Sequence, residues 1–393
     1  MIITKVELIP VSTPLVKPFI MPGTRITHIH SVVLKLHTDE GIVGYGDSGD
    51  TSTWYRGETQ ESMTAMIANH IAPAFLIGQD PLNIEKIVGQ MDTFVRDNNQ
   101  AKALVDFALH DLKGKALGVP VYQLLGGKNA EASVQGWVAS AGPVDQVVAE
   151  AVQAHENGFC LIKLKSDGNS DHDVDNVREV RAALGDSARI VVDANGFWNY
   201  DQALKTMRRL DRYGMECIEQ PVPHWDIEGM ARLRTRIDTP IFADESAQEL
   251  HNIREIIERR AADGLFIKMQ KAGGLLKAQR WLTMARLADM AVMSGCMIGS
   301  GLEASPSAHL MIANNWASQF THENLGPLII NNQWENAEQT ITQDIALNVP
   351  VFADGKLYPN EGPGFGIELN EEFIAAHITE GKQTVTVGEL VGV

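Results

Sequence analysis

The chain has 393 residues, 44% of them hydrophobic and 21% charged, and a formal net charge of −17 at pH 7. This length suits one barrel-sized domain with a smaller companion. The acidic balance argues against nucleic acid or an anionic membrane as partner, yet leaves small anionic substrates open, because they respond to local charge. Cys160, Cys217 and Cys296 lie far apart with no CxxC pair, which predicts buried free thiols in a reducing compartment rather than a disulfide frame or zinc site. The opening MIITKVELIP lacks a long apolar stretch, and no run is long enough to span a bilayer. A cytoplasmic soluble protein is expected.

The first third reads as strands, then helices. TKVELIPV and SVVLKLHTDEGIVGYGD alternate with period two around the turn TDEG, and helical patterns follow in ESMTAMIANHIAPAFLI, LNIEKIVGQMDTF and AKALVDFALHDLKGKALG. That order predicts an α+β unit over residues 1–128. GYGDSG, Gly44 to Gly49, matches GxGxxG but leads into DTSTWYRGE rather than a helix, so it reads as a strand-to-loop turn and not a dinucleotide site. HIH, His28 to His30, finds no partner histidines on the later strands PIFADES and GLFIKMQ, which weighs against a zinc hydrolase.

From about Ser133 the pattern changes to short apolar strands alternating with amphipathic helices. SVQGWVAS, CLIKLKS, RIVVDANG, MECIEQP, PIFADES, DGLFIKMQ, AVMSGCMI and QFTHENL supply eight strands, with helical stretches such as VDQVVAEAVQAHENG between them. The fold class is therefore α/β, a (β/α)7β TIM-like barrel over residues 129–350. An open doubly wound sheet is the competing arrangement. Spacing favours closure: Lys165, Asp193, Glu219, Asp244 and Lys268 follow one another at intervals of 28, 26, 25 and 24 residues. One βα unit thus brings a charged residue to the same level of each successive strand, where a barrel gathers them at its C-terminal mouth.

These five residues imply a chemistry. Lys163 and Lys165 share one face of an apolar strand, a costly arrangement unless opposite charge lies nearby. Asp193, Glu219 and Asp244 each end a strand, and three crowded carboxylates call for a divalent cation. Oxygen ligands without Cys or His favour Mg²⁺, with Mn²⁺ possible. Each acid taken alone would read as a helix N-cap; three in register make the metal reading the stronger one. A lysine desolvated beside other cations can act as a base, so a metal between Lys165 and Lys268 suits proton transfer α to a carboxylate with the metal stabilising the enediolate. A glycoside hydrolase would use two carboxylates and leave both lysines unexplained, and a non-enzymatic barrel would have no reason to keep all five charges.

The KxK of Lys163 and Lys165, the acids Asp193, Glu219 and Asp244, and IKMQKAGG together resemble the muconate lactonizing subgroup of the enolase superfamily. LVDFALHDLKGKALGVPVYQLLGG, GSGLEASPSAH and EGPGFGIEL extend the resemblance over nearly the whole chain. It implies a capping domain made from the N-terminal segment and a C-terminal tail, residues 351–393, with GPGFGIEL packed near the N-terminal sheet. It also implies a homo-oligomer and a small carboxylate substrate. Lys165, Lys268 and Lys163 become the catalytic residues, Asp193, Glu219 and Asp244 the metal ligands, and Asn195, Ser300, Glu323, Trp54 and Tyr55 the substrate-binding residues. A loop from about Pro18 to Trp54 should close over the mouth. The mandelate racemase branch is less similar, since strand six carries Lys268 and strand seven, AVMSGCMIGS, has no His. THENLGPLII resembles strand eight of the lactonizing enzymes and lacks the Asp-x-Asp of dipeptide epimerases, so a cycloisomerase is the leading expectation. Racemization or epimerization of an N-acylamino, amino or imino acid, and dehydration of a hydroxy acid, are the alternatives.

Overall fold

In this computed structural model, which describes residues 1–388 apart from 22, 52, 54 and 335–340, strands come first. β1 (Ile3–Met21), β2 (Thr24–Thr38) and β3 (Val43–Asp47) form an antiparallel sheet, with the C-terminal strand Val385–Val387 beside β1. The β1–β2 pairing runs from Ile3 opposite Thr38 to Met21 opposite Thr24, broken by an irregularity between Pro14 and Phe19. The expected mouth loop is therefore, over its first part, the tip of a long hairpin. The loop is an implication of the resemblance; strands tolerate proline where a ladder bond is not required of its nitrogen.

Helix Asn99–Leu117 is buried along most of its length between this sheet and the barrel. The glycines of GYGDSG are explained by that contact. A Cβ on Gly44 would sit 2.2 Å from the Ala108 carbonyl oxygen, and one on Gly46 2.5 Å from that of Leu104.

The barrel strands are β4 (Ser133–Gln135), β5 (Trp137–Ala139), β6 (Leu161–Lys165), β7 (Arg189–Asp193), β8 (Cys217–Glu219), β9 (Ile241–Ala243), β10 (Gly264–Ile267), β11 (Ala291–Ser294) and β12 (Thr321–His322). β5 to β11 make one curled parallel sheet in sequence order. Strand eight closes it. β12 pairs in parallel with β4, which continues into β5, and Glu323 bridges to Gly295 while its N–H donates to the Ser294 carbonyl at 2.7 Å. Leu161, Val191, Cys217, Phe242, Phe266 and Met293 fill the interior as a separate apolar cluster.

The C-terminal tail divides its contacts. β13 (Val351–Ala353) and β14 (Lys356–Tyr358) form a hairpin that extends the barrel sheet through β4, so residues 351–358 belong to the barrel rather than the cap. The GPGFGIEL segment packs on helix Asn99–Leu117 near the N-terminal sheet, as expected: Asp111 accepts from Phe365 N–H and from Tyr45 N–H of β3, each at 2.8 Å. The last strand, Ile378 bridged to Val11, and Glu371 paired with Lys35 of β2 at 2.7 Å return to the sheet. All three cysteines are free, but Cys160, just before β6, is exposed rather than buried. Among the described residues no helix is long and apolar enough to cross a membrane.

Candidate active site

Period-two alternation carries the acids and lysines into the barrel. In β6 the inward positions are Leu161, Lys163 and Lys165. Register then aligns Lys165 with Asp193, and Asp193 with Glu219, on neighbouring strands. Asp193, Glu219 and Asp244 are completely buried.

Each acid faces an ammonium. Lys165 donates to Asp193 at 2.5 Å and to Asn195 at 3.3 Å. Lys163 donates to Glu219 at 2.9 Å and also pairs closely with Glu323. Lys268 donates to Asp244 Oδ2 at 2.7 Å. A fourth lysine, Lys271, is wholly buried, donating to the Asp244 backbone oxygen at 2.7 Å and pairing closely with Oδ1. The acids are therefore not short of counter-charge as the sequence suggested. Among the described residues, no three acidic, His or Cys side chains converge closely enough to hold a metal as the side chains stand.

Electrostatics separate the three acids. Burial works against the Asp244 charge, but Lys268 and Lys271 outweigh it and hold the carboxyl far below its usual range. Burial also opposes ionisation of Asp193, again outweighed, here by Lys165 and Lys163. Glu219 goes the other way: burial and the neighbouring Asp193 push it well up. Its Oε1, though buried, has no hydrogen-bond partner. That orphaned oxygen, in an all-oxygen row of strand-end carboxylates, suits a hard divalent cation. Burial works to lower Lys268, but Asp244, Glu219 and Glu245 raise it above its ordinary value. Facing these carboxylates Lys268 is an ammonium, and its turn as a base calls for their charge to be neutralised, as a bound cation would do.

Above the charges lies a small cavity of about 80 Å³, open to solvent. Lys163, Lys165, Lys268, Asn195, Glu323 and Tyr55 line it, bringing together most of the expected residues. Phe19, Met21 and Ile26 of the hairpin, with Val138, Ile298 and Ile329, provide apolar walls. Ser300 is not at the cavity. It caps helix Gly301–Ala313, accepting from Leu302 and Glu303 N–H, and donates to Asp47 at 2.6 Å. Trp54 lies outside the described residues.

Four contributors went unnoticed in the sequence. Lys271 follows Lys268 by one helical turn in KMQK, a visible signal. Glu245, directly after Asp244, accepts from Asn195 at 2.9 Å and is pushed up to about 7 by burial and by Asp244. Gln220, in a left-handed turn at φ 37°, accepts from the N–H groups of Asp244 and Ser246 and so fixes the strand-five turn. Asp50, from the segment after β3, lines the cavity and is raised to about 6 by burial; nothing in its sequence context marks it.

A closed parallel barrel with facing lysines and an acid row at its mouth is the frame of an acid–base enzyme. The match to known families gives the class: the N-terminal domain of mandelate racemase/muconate lactonizing enzymes matches residues 3–126, and the enolase C-terminal domain-like family matches residues 146–373. The chain belongs to the mandelate racemase/muconate lactonizing enzyme family of the enolase superfamily and is an isomerase of that family. It is 34% identical to an N-succinyl-L-Arg/Lys racemase of Bacillus cereus, over 94% of this chain and 96% of that one. To muconate cycloisomerase 1 of Rhodococcus opacus it is 33% identical, over 95% and 97%. A crystal structure of a family protein from Azoarcus sp. EbN1 superimposes with a TM-score of 0.94 at 57% identity, covering 98% of this chain and all (100%) of that one.

Proposed function

We propose that the enzyme moves a proton at the carbon α to a carboxylate and thereby racemizes or epimerizes its substrate. The observation that carries this reading is the position of Lys165 and Lys268. They end strands β6 and β10, which stand four places apart in an eight-strand ring, and both ammoniums reach one cavity. A carbon held between them is open to proton removal on one face and delivery on the other. Asp193, Glu219 and Asp244 would hold Mg²⁺, with Mn²⁺ as substitute. When bound, the ion supplies charge neutralisation for the acids and Lewis-acid stabilisation of the substrate carboxylate. Lys163, tied to Glu219 and Glu323, keeps strand eight against strand two, and the apolar hairpin tip excludes water from the reacting carbon.

Cavity charge bears on the substrate. Its cations among the described residues are the three lysines, whereas Asp50 and Glu323 add negative charge away from the metal row. This composition suits a single carboxylate joined to a neutral or hydrogen-bond-donating group, such as an N-acylamino, amino or imino acid. Cycloisomerization of a muconate-type acid is the second reading, supported by the segment Glu323-Asn-Leu-Gly-Pro-Leu328 and by the R. opacus relative.

The test is a panel of both acid classes incubated with enzyme and Mg²⁺ in D₂O. Expected is deuterium uptake at the α-carbon with loss of optical purity, stopped by a chelator. Lys165→Ala and Lys268→Ala should each lower racemization by several orders of magnitude, as loss of a general acid or base does. Lactone formation, with one deuterium added at the carbon α to the carboxylate and no loss of optical purity in the chiral acids, would move the assignment to the second reading. Full activity in excess chelator, or in both lysine variants, would overturn the chemistry itself.

A further inference from the structure

The two lysines are held differently. Lys165 touches Asp193 and Asn195, both supplied by the barrel strand next to it. Lys268 lies between Asp244 and an aromatic ring from the cap: its Nζ is 4.3 Å from the ring centroid of Tyr55. The same tyrosine, 6% exposed, donates its hydroxyl to Asp244 Oδ1 at 2.7 Å. Its neighbours fix the segment that carries it. Arg56 donates to Gln248 of the barrel at 2.5 Å, and Glu58 accepts from Gln100 and Ala101 N–H, at the start of the long cap helix, at 2.9 and 3.0 Å.

We infer that Tyr55 is a positioning residue for Lys268 alone. Its ring sets the direction of the ammonium, and its hydroxyl sets the Asp244 carboxylate that the ammonium faces. The cap thereby helps to build one of the two proton-transfer faces, while among the described residues the hydrogen-bond partners of Lys165 come from the barrel. The inference rests on the two-base reading for its kinetic consequence, but its structural content concerns the lysine side chain. Two substitutions divide the tyrosine. Tyr55→Phe keeps the ring and loses the hydroxyl; Tyr55→Leu loses both. A cation–π contact in a desolvated site is worth up to about tenfold or more in an equilibrium, so the ring should matter more to Lys268 than the hydroxyl does.

The experiment combines α-deuterium exchange on each enantiomer with lysine acylation followed by mass spectrometry, on full-length enzyme kept saturated with Mg²⁺ in every variant. In Tyr55→Leu, exchange on the Lys268 face should fall about tenfold or more while exchange on the Lys165 face stays within about threefold. Lys268 should acylate several-fold faster and Lys165 at an unchanged rate. Tyr55→Phe should keep the wild-type ratio of the two faces and instead weaken Mg²⁺ binding in calorimetry. Equal loss on both faces, or acylation rates that do not change in Tyr55→Leu, would overturn the inference. Absence of exchange on both faces in the unsubstituted enzyme counts against the two-base reading only, and the acylation rates then decide the role of Tyr55. Should Tyr55→Leu fail to fold, Tyr55→Met, which keeps apolar bulk without a ring, takes its place in both measurements.

Discussion

Two layers of the barrel interior lie one step apart on the same strands and have opposite character. Leu161, Val191, Cys217, Phe242 and Phe266 form an apolar plug; two residues further along each strand come Lys163, Asp193, Glu219, Asp244 and Lys268. A two-residue step keeps the side chain on one face, so a single register fixes both layers. The plug needs no partner beyond its own contacts. The charged layer is tolerable only because each carboxylate is paired with an ammonium, and buried ion pairs add little net stability once desolvation is counted. Changes in the lower layer should therefore cost stability, and changes in the upper one activity.

The largest expected effect tests the upper layer. Glu219→Gln should abolish Mg²⁺ binding and lower kcat by about a thousandfold or more. Because burial and Asp193 already oppose its charge, the thermal midpoint should hold or rise. Calorimetry with Mg²⁺ and a melting curve check both halves. A collapse in stability would erase the distinction between the layers.

The lower layer gives the converse. Phe266 is fully buried, touches Phe242 edge-on with ring centroids 6.2 Å apart, and lies beneath Lys163. Phe266→Ala should cost about 3–5 kcal/mol, read as a lower denaturation midpoint. The surviving folded enzyme should lose far less in kcat than Glu219→Gln does. Loss of activity at full stability would show that the plug takes part in chemistry through Lys163.

Buried charge outside the mouth sharpens the contrast through pH. Asp344 accepts from Gly301 N–H at 3.0 and 2.9 Å, yet burial raises it from an ordinary 3.8 to about 8, and Glu303 likewise reaches about 8. Between those values the folded chain binds the proton and the unfolded chain does not. The stabilisation is therefore complete below the unfolded value and is lost as pH rises through the folded one. Thermal midpoints should fall from about pH 6 to about pH 8.5, and Asp344→Asn should make that fall shallower, by an amount on the order of a few kcal/mol. An unchanged slope would show that Asp344 is already ionised in the folded enzyme.

Most of the barrel was legible because period-two strands and the βα interval both leave marks in sequence. Asp193, Glu219 and Asp244 stood out as charges ending apolar runs. What escaped depended on long-range contacts. Lys271 carries a visible spacing from Lys268, but its partner Asp244 lies at the end of another strand. The hairpin tip, which the resemblance placed in a mouth loop, pairs as far as Met21 opposite Thr24. The tail residues 351–358 gave no hint that β14 would pair with β4, more than 200 positions earlier. Tyr55 was expected at the substrate and does line the cavity, but its partners Asp244 and Lys268 come from strands whose closeness only the closed ring creates.

Ser300 makes the smallest and most discriminating test. Its sequence, Ser300-Gly-Leu-Glu303, carries the S-x-x-E signature of a helix start, although its place beside the mouth suggested substrate contact. In the fold its hydroxyl accepts from Leu302 N–H at 3.1 Å and Glu303 N–H at 3.3 Å while donating to Asp47 at 2.6 Å. Asp47 is wholly buried; burial raises it, and the Ser300 hydroxyl is first among the groups that lower it. Ser300→Ala removes a cap and leaves this cap-domain carboxylate short of a donor. Each loss is worth about 1–2 kcal/mol. In a chain of this size the midpoint should drop by roughly 2–8 °C, with kcat/KM within about threefold of wild type. A large rise in KM at unchanged stability would return Ser300 to the substrate and extend the chemical layer beyond the strand ends.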